Sequence, residues 1–463
     1  MLWRHMRPQM SLTALYLTGI LIMNKRLAPM CAGAIKEGKL MRRKTMRALT
    51  ALCAVTLILA LVSGSGLAKR KVVLVHWQHH TPARKEMVEA FAADFMKANP
   101  DIEIKIESVP EADYFQKLLP ALAAGSGPDT FQIPAGQVLT YARSGVLQPL
   151  DARVASAKQI EADFVPGSIE RLLIDGKYHG FPVDTQTIVL FYNPKLFKEA
   201  GLDPDKPPQT WDEAIKYAKL MTKRDASGVT TQMGLATGGY GPVIASLMIQ
   251  NGVSMWNAQA DLPDFDSPKA AEALQFAADI LTTHKVEDTK MGSRWNAFRA
   301  EKLGMVYAHP AMIGSFRATV PDLVFRIAEV PAPKAGGSRS TLLTSWAYVV
   351  SAKAQSEEAT RWIAFLTSAD AQKQWITKTG DLPSRKALLD LPEYKSDPLL
   401  APCMESMKRA VPAPWTTRQL DDTLFRKAYQ LMTLNSETAQ AAAKWLTAEG
   451  IKAEKEQREM ARP

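Results

Sequence analysis

Aromatic and hydrogen-bonding side chains stand directly after two segments that have the composition of buried strands. Trp77, His79 and His80 follow an apolar run that begins at Val72, and Gln137 comes shortly after a second run, TFQI. Flat rings stack on the apolar face of a small cyclic ligand, and polar groups take its hydroxyls in hydrogen bonds. In an open parallel sheet such a ligand lies beyond the carboxyl ends of the strands. These residues therefore indicate recognition of a hydroxyl-rich molecule, with packing and solvated positions as the alternative.

Three further candidates lie in the middle of the chain. Asp184 brings an acceptor-only carboxylate to the start of another predicted strand, where it either takes ligand hydroxyls or braces the backbone. Tyr240 stands in a glycine-rich loop, TGGYG, which is either a site for a stacking ring or a plain turn. His309 follows the predicted strand Leu303–Tyr307. We predict that these three side chains face the same ligand.

The last candidates stand in the final third of the chain. Trp346 lies in the strand-like segment TSWAYVV, and Trp415 and Arg418 follow the proline-rich segment VPAP. We expect Trp415 to cover the ligand and Arg418 to serve an anionic substituent on it. A structural role is the alternative for both, since tryptophans pack in cores and arginine stems lie on apolar surface.

The sequence offers little for catalysis or metal binding. His76, His79 and His80 cluster, but no carboxylate or thiolate stands close enough in sequence to complete a metal site, so we expect neither a metal nor a cofactor. The motifs HExxH, CxxC and GxSxG are absent, and a near phosphate-binding loop at Gly33–Leu40 ends in leucine where magnesium needs a hydroxyl. Asp184 has no clear partner carboxylate for glycan cleavage. We predict that the protein is not an enzyme.

Residues 1–68 differ in composition from the rest of the chain. Four basic residues precede the apolar segment Ala48–Val62, and a stretch of small residues closes with Gly-Leu-Ala at Ala68. This pattern predicts a signal peptide at residues 41–68, preceded by a possible over-extended N-terminus at residues 1–40, with a membrane anchor as the alternative. We expect an exported protein, in the periplasm or on the extracellular face of the cytoplasmic membrane.

The charge of the chain is concentrated in the same segment. The formal net charge is +10, and residues 1–68 contribute ten Lys or Arg against one acidic residue, so the remainder is close to neutral. A near-neutral chain gives no reason to expect a nucleic-acid partner. Only Cys403 lies beyond residue 68, so no intramolecular disulfide is expected in the exported form.

The order of predicted elements after the leader is strand, helix, strand, helix, strand. This order is typical of parallel strands joined by right-handed crossovers, and thus of an α/β fold. About 395 residues follow the leader, more than one hydrophobic core usually organises, so we expect two domains. The polar cluster from Asp184 to Thr187 opens a buried strand that ends at Tyr192. We interpret this cluster as a passage of the chain between two lobes that have a ligand cleft between them.

Several motifs resemble, in the same order, those of family 1 of the extracellular solute-binding proteins, the sugar-capturing subunits of ABC importers. Many members of that family place a tryptophan a few residues after the position of His309, where this chain reads AMIGSF. The motifs span nearly all of the chain after Ala68. They are AAGSGPDTFQ (Ala123–Gln132), SGVLQPLD (Ser144–Asp151), DGKYHGFP (Asp175–Pro182), the block from Gly180 to Asp212 that contains LFYN, FRAEKLGMVY (Phe298–Tyr307) and TGDLPSRK (Thr379–Lys386).

The resemblance implies a two-lobed α/β fold like that of the periplasmic binding proteins. Each lobe would be a mainly parallel sheet flanked by helices, and a hinge would join the lobes. Residues 69–182 and 327–346 would form the first lobe, and residues 187–325 and 348–463 the second. The chain would cross between the lobes at the three junctions of these segments.

The resemblance also implies a function. The protein would capture a sugar, as a mono- or oligosaccharide, in the cleft between its lobes and deliver it to the permease subunits of an ABC transporter, which a separate ATPase drives. It would act as a monomer. Two alternatives remain open: a binding protein for a polyol phosphate of the glycerol-phosphate type, and an exported polysaccharide-processing enzyme.

Overall fold

The structure is a computed structural model. The predicted signal peptide at residues 41–68 and the segment 1–40 lie outside the described residues, as does Arg418. Among the described residues, no helix is both long and apolar enough to cross a membrane. The structure describes residues 71–80, 82–417 and 419–460.

Short strands alternate with helices along the described chain. In chain order, the strands are β1 Val72–His80, β2 Ile102–Pro110, β3 Thr130–Pro134, β4 Leu147–Gln148, β5 Leu173–Ile174, β6 Lys177–Tyr178, β7 Gly180–Pro182, β8 Val189–Tyr192, β9 Lys223–Arg224, β10 Thr230–Ala236, β11 Trp256–Asn257, β12 Leu262–Pro263, β13 Leu303–Ala308, β14 Arg326–Ala328, β15 Leu342–Leu343, β16 Trp346–Ser351 and β17 Val411–Pro412.

The helices occupy most of the remaining length. In chain order, they are α1 Pro82–Ala98, α2 Glu111–Ala123, α3 Val138–Arg143, α4 Ala157–Asp163, α5 Pro166–Ile169, α6 Pro194–Glu199, α7 Trp211–Met221, α8 Gly241–Gln250, α9 Pro268–Leu281, α10 Arg294–Arg299, α11 Met312–Thr319, α12 Ser356–Leu366, α13 Ala369–Thr379, α14 Pro392–Ser396, α15 Ala401–Met407, α16 Phe425–Thr433 and α17 Ala439–Met460. Short 3₁₀ segments lie at Ala135–Gln137, Glu170–Leu172, Thr289–Met291 and Lys386–Leu388, and a π-helical turn at Leu420–Leu424 precedes α16.

The first sheet, called sheet A, has the strand order β2-β1-β3-β16-β4, and β7 also pairs with β16. Strand β1 runs parallel to β2 and β3, as the order of elements predicts. Only β16 runs against its neighbours β3, β4 and β7. The core of sheet A buries Leu74, Ile104 and Phe131 together with Trp362 of α12.

Strand β1 is longer than the sequence predicts. The apolar run predicts a strand that ends at His76, but β1 continues to His80 because β2 extends alongside it to Pro110. Trp77 and His79 therefore lie within the strand rather than in a loop after it. Only the final residues of β1 reach the side of sheet A where its parallel strands have their carboxyl ends.

The second sheet, called sheet B, has the strand order β14-β8-β13-β10-β9. Strand β10 is parallel to β13, and β8 runs against both β13 and β14. Leu190 and Tyr192 of β8 enter one hydrophobic core, while Val189 and Phe191 enter another on the opposite face. Successive side chains of a strand point to opposite faces of the sheet, so this alternation shows that both faces of β8 are covered. The predicted α/β class is confirmed, but the prediction of mainly parallel sheets is wrong. Both sheets are mixed, because β16 in sheet A and β8 in sheet B run against their neighbours.

The second core of sheet B contains Cys403 of α15, which is fully buried. Its thiol donates a hydrogen bond to the backbone oxygen of Leu399 at 3.2 Å. Burial raises the pKa of the Cys403 thiol well above its ordinary value. The side chain is a packed apolar element of the core.

The segments that connect the two sheets lie side by side. Residues 183–188 lead from β7 to β8, and their Gln186 exchanges backbone hydrogen bonds of 2.8 and 2.9 Å with Thr344, just before β16. Thr185 exchanges backbone hydrogen bonds of 2.9 and 3.1 Å with Leu382, which follows α13. The predicted first passage through the DTQT cluster therefore agrees with the connection between the two sheets.

The predicted third passage, at the junction near residues 346–348, is wrong. Strand β16 is hydrogen-bonded to β3 inside sheet A, and the helices α12 and α13 that follow pack on the core of that sheet. The chain leaves sheet A only after α13, through the TGDLPSRK turn. Strand β14, assigned in part to the first lobe, pairs with β8 in sheet B. The remaining lobe boundaries stay a prediction.

Candidate ligand-binding cleft

A cleft of about 1150 Å³ opens between the two sheets. His79 of β1 and Pro134 of β3 line one side of it, and Gly238 and His309 line the other, just after β10 and β13. These four positions are the carboxyl ends of parallel strands, where ligands bind in open α/β sheets. The topology thus concentrates the ends of both sheets around one space.

Arg84, in the first turn of α1, forms a buried ion pair with Asp381 at the edge of the cleft. Its Nη2 donates to both carboxylate oxygens of Asp381 at 3.0 Å. Asp381 also accepts hydrogen bonds from Gln186 Nε2 and Trp375 Nε1, each at 2.6 Å. Burial acts to lower the pKa of Arg84, but the carboxylates of Asp381 and Asp184 outweigh it and raise that pKa. The protein itself therefore neutralises the charge of Arg84.

His79 and Trp346 form an aromatic surface beside this ion pair. Their ring centroids lie 4.4 Å apart, and the ring of Phe115 stacks on Trp346 at 6.2 Å with an interplanar angle of 29°. His79 Nε2 contacts Arg84 Nη1. Because a guanidinium only donates, Nε2 is the acceptor in this contact. The half-buried Trp346 is thus held between two flat side chains at the wall of the cleft.

Asp184 lies behind this wall and is 1 % exposed. Its Oδ1 accepts the backbone N–H of Trp346 at 3.2 Å, and its backbone oxygen accepts the hydroxyl of Ser345 at 2.7 Å. Oδ2 lies 3.8 Å from Nη2 of Arg84. Burial, reinforced by the charge of Asp381, raises the pKa of Asp184 to about 7. Of the two roles predicted for Asp184, this geometry fits the brace of the backbone rather than the ligand contact.

On the side of sheet B, Tyr240 and His309 are joined through the imidazole. His309 Nδ1 donates to the backbone oxygen of Thr187 at 2.9 Å, since a carbonyl can only accept. Its Nε2 then accepts the hydroxyl of Tyr240 at 3.2 Å. Burial lowers the pKa of His309 to about 4, so the ring is neutral at pH 7. His309 thereby fixes Tyr240 at the wall with a single tautomer.

Arg294, the first residue of α10, lies between two aromatic rings. Its guanidinium carbon is 5.0 Å from the ring centroid of Tyr240 and 4.3 Å from that of Trp295. Both contacts are within the range of cation–π attraction. Its Nη1 donates to the backbone oxygen of Thr237 at 2.8 Å. The next residue after Thr237 is Gly238, which has a φ of +63°. A Cβ at this position would collide with the guanidinium of Arg294.

A buried carboxylate holds the loop against which Arg294 rests. Glu287 Oε2 accepts the backbone N–H of Thr237 at 3.0 Å, and Oε1 accepts that of Gly238 at 2.9 Å. Burial raises the pKa of Glu287, although these hydrogen bonds act in the opposite direction. Arg426, Tyr429 and nearby residues of α16 line the same end of the cleft.

Four of the predicted site residues line the cleft: His79, Tyr240, His309 and Trp346. They come from both sides, two next to sheet A and two next to sheet B. The stretches that carry them are separated by tens to hundreds of residues, and the fold brings them to one space. That these four residues contact a common ligand stays a prediction.

Three predicted residues are placed elsewhere. Trp77 is half-buried and packs against the core of sheet A, because β1 continues past it. Gln137 is buried at the end of a 3₁₀ turn before α3. Trp415 is 2 % exposed and packs with Phe265 and Phe425, because the proline-rich segment turns it into the core. None of the three lines the cleft.

The two described histidines of the cluster near the start of the chain, His76 and His79, bond to other side chains. His76 is fully buried, its Nδ1 is hydrogen-bonded to the hydroxyl of Thr130 at 2.8 Å, and its ring meets Tyr348 and Trp362 edge-on. Within the described residues, no group of His, Cys, Asp or Glu is arranged to hold a metal ion. The side chain of His80 and the whole of Arg418 lie outside what the structure describes.

Several residues of the cleft were missed from the sequence. Arg84 and Asp381 stand 297 positions apart, so no local pattern joins them. Arg294 and Trp295 precede the FRAEKLGMVY motif. The local sequence around them does not predict a cleft, since an arginine beside a tryptophan on a helix is typical of an exposed surface. The TGDLPSRK motif contains Asp381 and was the one available clue.

The chain is similar to proteins of one family. Residues 79–373, more than half of the chain, match the family model described as bacterial extracellular solute-binding protein. An arabinooligosaccharide-binding protein of Halalkalibacterium halodurans is 27 % identical over 343 residues, which cover 70 % of this chain and 74 % of the relative. The sn-glycerol-3-phosphate-binding periplasmic protein of Shigella dysenteriae is 25 % identical over 380 residues, 76 % of this chain and 84 % of the relative.

A solved structure has the same fold. It is an ABC transporter solute-binding protein of Thermotoga lettingae bound with alpha-D-tagatose, and it superposes with a TM-score of 0.73 at 23 % identity. The match covers 82 % of this chain and 99 % of that protein. The protein belongs to the family of bacterial extracellular solute-binding proteins.

Proposed function

We propose that this protein binds a sugar in the cleft between its two sheets. The observation that carries the proposal is the pairing of aromatic surfaces on opposite walls: His79 with Trp346 on one side, and Tyr240 with Trp295 on the other. Aromatic faces suit the apolar faces of pyranose rings, and amide, hydroxyl and guanidinium groups between them suit the hydroxyls. The arabinooligosaccharide-binding relative and the tagatose-bound structure support the same class of ligand.

The size of the cleft favours an oligosaccharide over a single ring. A volume of about 1150 Å³ lies at the upper end of the range of small-molecule sites, which is about 300–1,000 Å³. Binding would shift the population toward a form in which both walls touch the ligand, because such a ligand stabilises the closed form more than the open one. The paired segments around Gln186, Thr344 and Leu382 would serve as the hinge.

The partners and location follow from the same proposal. We propose that the protein is exported, acts as a monomer, and delivers its sugar to the permease of an ABC transporter. We also propose that it catalyses no reaction. Among the described residues that line the cleft, the carboxylates are Glu287 and Asp288, and both accept backbone N–H groups, which supports a structural role for them.

Thermal denaturation of the purified protein against a panel of mono- and oligosaccharides tests this function. A specific sugar at about 100 times its Kd should stabilise the protein by about 2.7 kcal/mol. The variant Trp346→Ala should lose this response, whereas Trp77→Ala, a half-buried tryptophan outside the cleft, should keep it. The proposal fails if no sugar stabilises the parent protein, or if both variants respond alike.

A further inference from the structure

Two arginines stand at the end of the cleft near sheet B. Arg294 is held by its stacking on Tyr240 and Trp295, and of its nitrogens only Nη1 donates a hydrogen bond within the described residues. Its Nε is buried without an acceptor among the described residues. A guanidinium has five N–H donors, so most of the donors of Arg294 have no acceptor in the part of the chain that the structure describes.

Arg426 of α16 lines the same end of the cleft and is exposed. It forms no hydrogen bond and no ion pair with the residues that the structure describes. Burial, and to a smaller degree the positive charge of Arg426, lower the pKa of Arg294, against the opposing influence of Tyr240 and Glu287. The two cations are therefore close enough to repel each other.

Within the described residues, neither nearby carboxylate forms an ion pair with Arg294 or Arg426. The charge of Glu287 acts on Arg294 from a longer distance, while its two oxygens accept the N–H groups of the loop at Thr237 and Gly238. Asp288 accepts the backbone N–H of Lys290 at 2.9 Å. The other end of the cleft differs, because Arg84 there is neutralised by Asp381. Among the described residues, the end of the cleft near sheet B thus holds two guanidinium groups that form no ion pair.

We propose that the ligand is an acidic sugar, and that Arg294 and Arg426 bind its anionic group, a carboxylate or a phosphate ester. This inference rests on the proposed function and names the class of substrate. The planar fork of a guanidinium pairs with two oxygens of such a group. Stacking between two rings holds Arg294 in place before binding, so less conformational freedom is lost when the anion arrives.

Matched pairs of probes test the inference by calorimetry on the purified protein. One pair is digalacturonate and its neutral counterpart galactobiose, and the other is glucose 6-phosphate and glucose. At least one acidic probe should bind at least about tenfold more tightly than its neutral counterpart, and its affinity should fall as salt is added. Which pair shows the difference tells a carboxylate ligand from a phosphate ligand. Equal affinity within both pairs overturns the inference.

The variant Arg426→Gln tests the site itself, with Lys427→Gln as the control. Both residues are exposed on α16 and both changes remove one positive charge, but Lys427 does not line the cleft. Arg426→Gln should weaken binding of the acidic probe by at least about tenfold and Lys427→Gln should leave it unchanged. Equal affinities in the two variants overturn the inference.

The outcomes separate this inference from the proposed function. If neutral saccharides bind and acidic ones do not, the sugar-binding function stands and the anion site falls. If neither acidic nor neutral saccharides bind, both fall. Arg294→Lys provides a second test, because it keeps the charge but loses the fork, and it should weaken binding of the acidic probe as well.

Discussion

Arg84 and Asp381, 297 residues apart, form an ion pair in which Nη2 of Arg84 donates to both carboxylate oxygens of Asp381 at 3.0 Å. Both side chains are almost completely buried. The pair joins the first helix of the described chain to the turn at which the chain finally leaves sheet A. It therefore fixes one wall of the cleft to the segments that connect the sheets.

Replacing Asp381 by asparagine should lower the free energy of unfolding by about 3–5 kcal/mol. The substitution leaves the charge of Arg84 buried without its closest carboxylate, and Asp184 lies farther away, at 3.8 Å. Urea denaturation measures the loss. The control is Asp163→Asn, whose partner Arg385 lies 2.9 Å away in an ion pair where Asp163 is 52 % exposed, and it should cost less than about 1 kcal/mol. Similar losses in the two variants would contradict the structural role of the buried pair.

His309 should make stability depend on pH. Its pKa is lowered from 6.5 to about 4 in the folded protein, so its contribution is fully present above pH 6.5 and is lost as the pH falls through 4. The loss should reach up to about 3 kcal/mol. In His309→Gln this part of the acid sensitivity disappears, although His76, with a pKa of about 3, still contributes. Urea midpoints between pH 7.5 and pH 4 measure the slope, and an unchanged slope would refute the prediction.

Gly238→Ala should weaken sugar binding in addition to straining the backbone. A φ of +63° costs an alanine about 1–2 kcal/mol, and the new methyl group would push Arg294 out of its place. Gly228→Ala is the matched control, because its φ is +84° but it faces open space. In thermal denaturation, Gly228→Ala should lose stability through backbone strain alone and Gly238→Ala at least as much, and only Gly238→Ala should lose affinity in calorimetry. Equal affinity would show that Arg294 does not matter for the ligand.

Trp415→Ala should destabilise the protein by about 3–5 kcal/mol, the usual cost of deleting a large buried side chain. Trp346→Ala should cost less, because Trp346 is half-buried at the wall of the cleft. Chemical denaturation of both variants measures the difference. The reverse order would contradict the placement of Trp415 in the core.

Much of the secondary structure could be predicted because local sequence patterns specify it. The apolar run after Lys71, the alternation of Ile102 and Ile104, and the proline and glycine boundaries specify strands and helices directly. The course of the chain late in the sequence could not be predicted in the same way. Strand β16 joins sheet A through its pairing with β3. The composition of the two strands does not reveal that they pair.

The site was predicted in part for a related reason. His79, Tyr240, His309 and Trp346 could be named because each stands near the end of a strand or in a glycine-rich loop. The ion pair and the stacked arginine could not, since each depends on contacts between distant segments. Trp415 shows the opposite error, because a tryptophan after prolines looks exposed until the core that receives it is known.

The burial of Cys403 has a practical consequence. A thiol whose pKa is raised and whose sulfur is surrounded by packed side chains reacts only when the core around it opens. Maleimide labelling of the folded protein should therefore be slow and should accelerate in step with denaturant. The rate of labelling of Cys403 would then report how often the core opens, and no cysteine would have to be introduced by mutation.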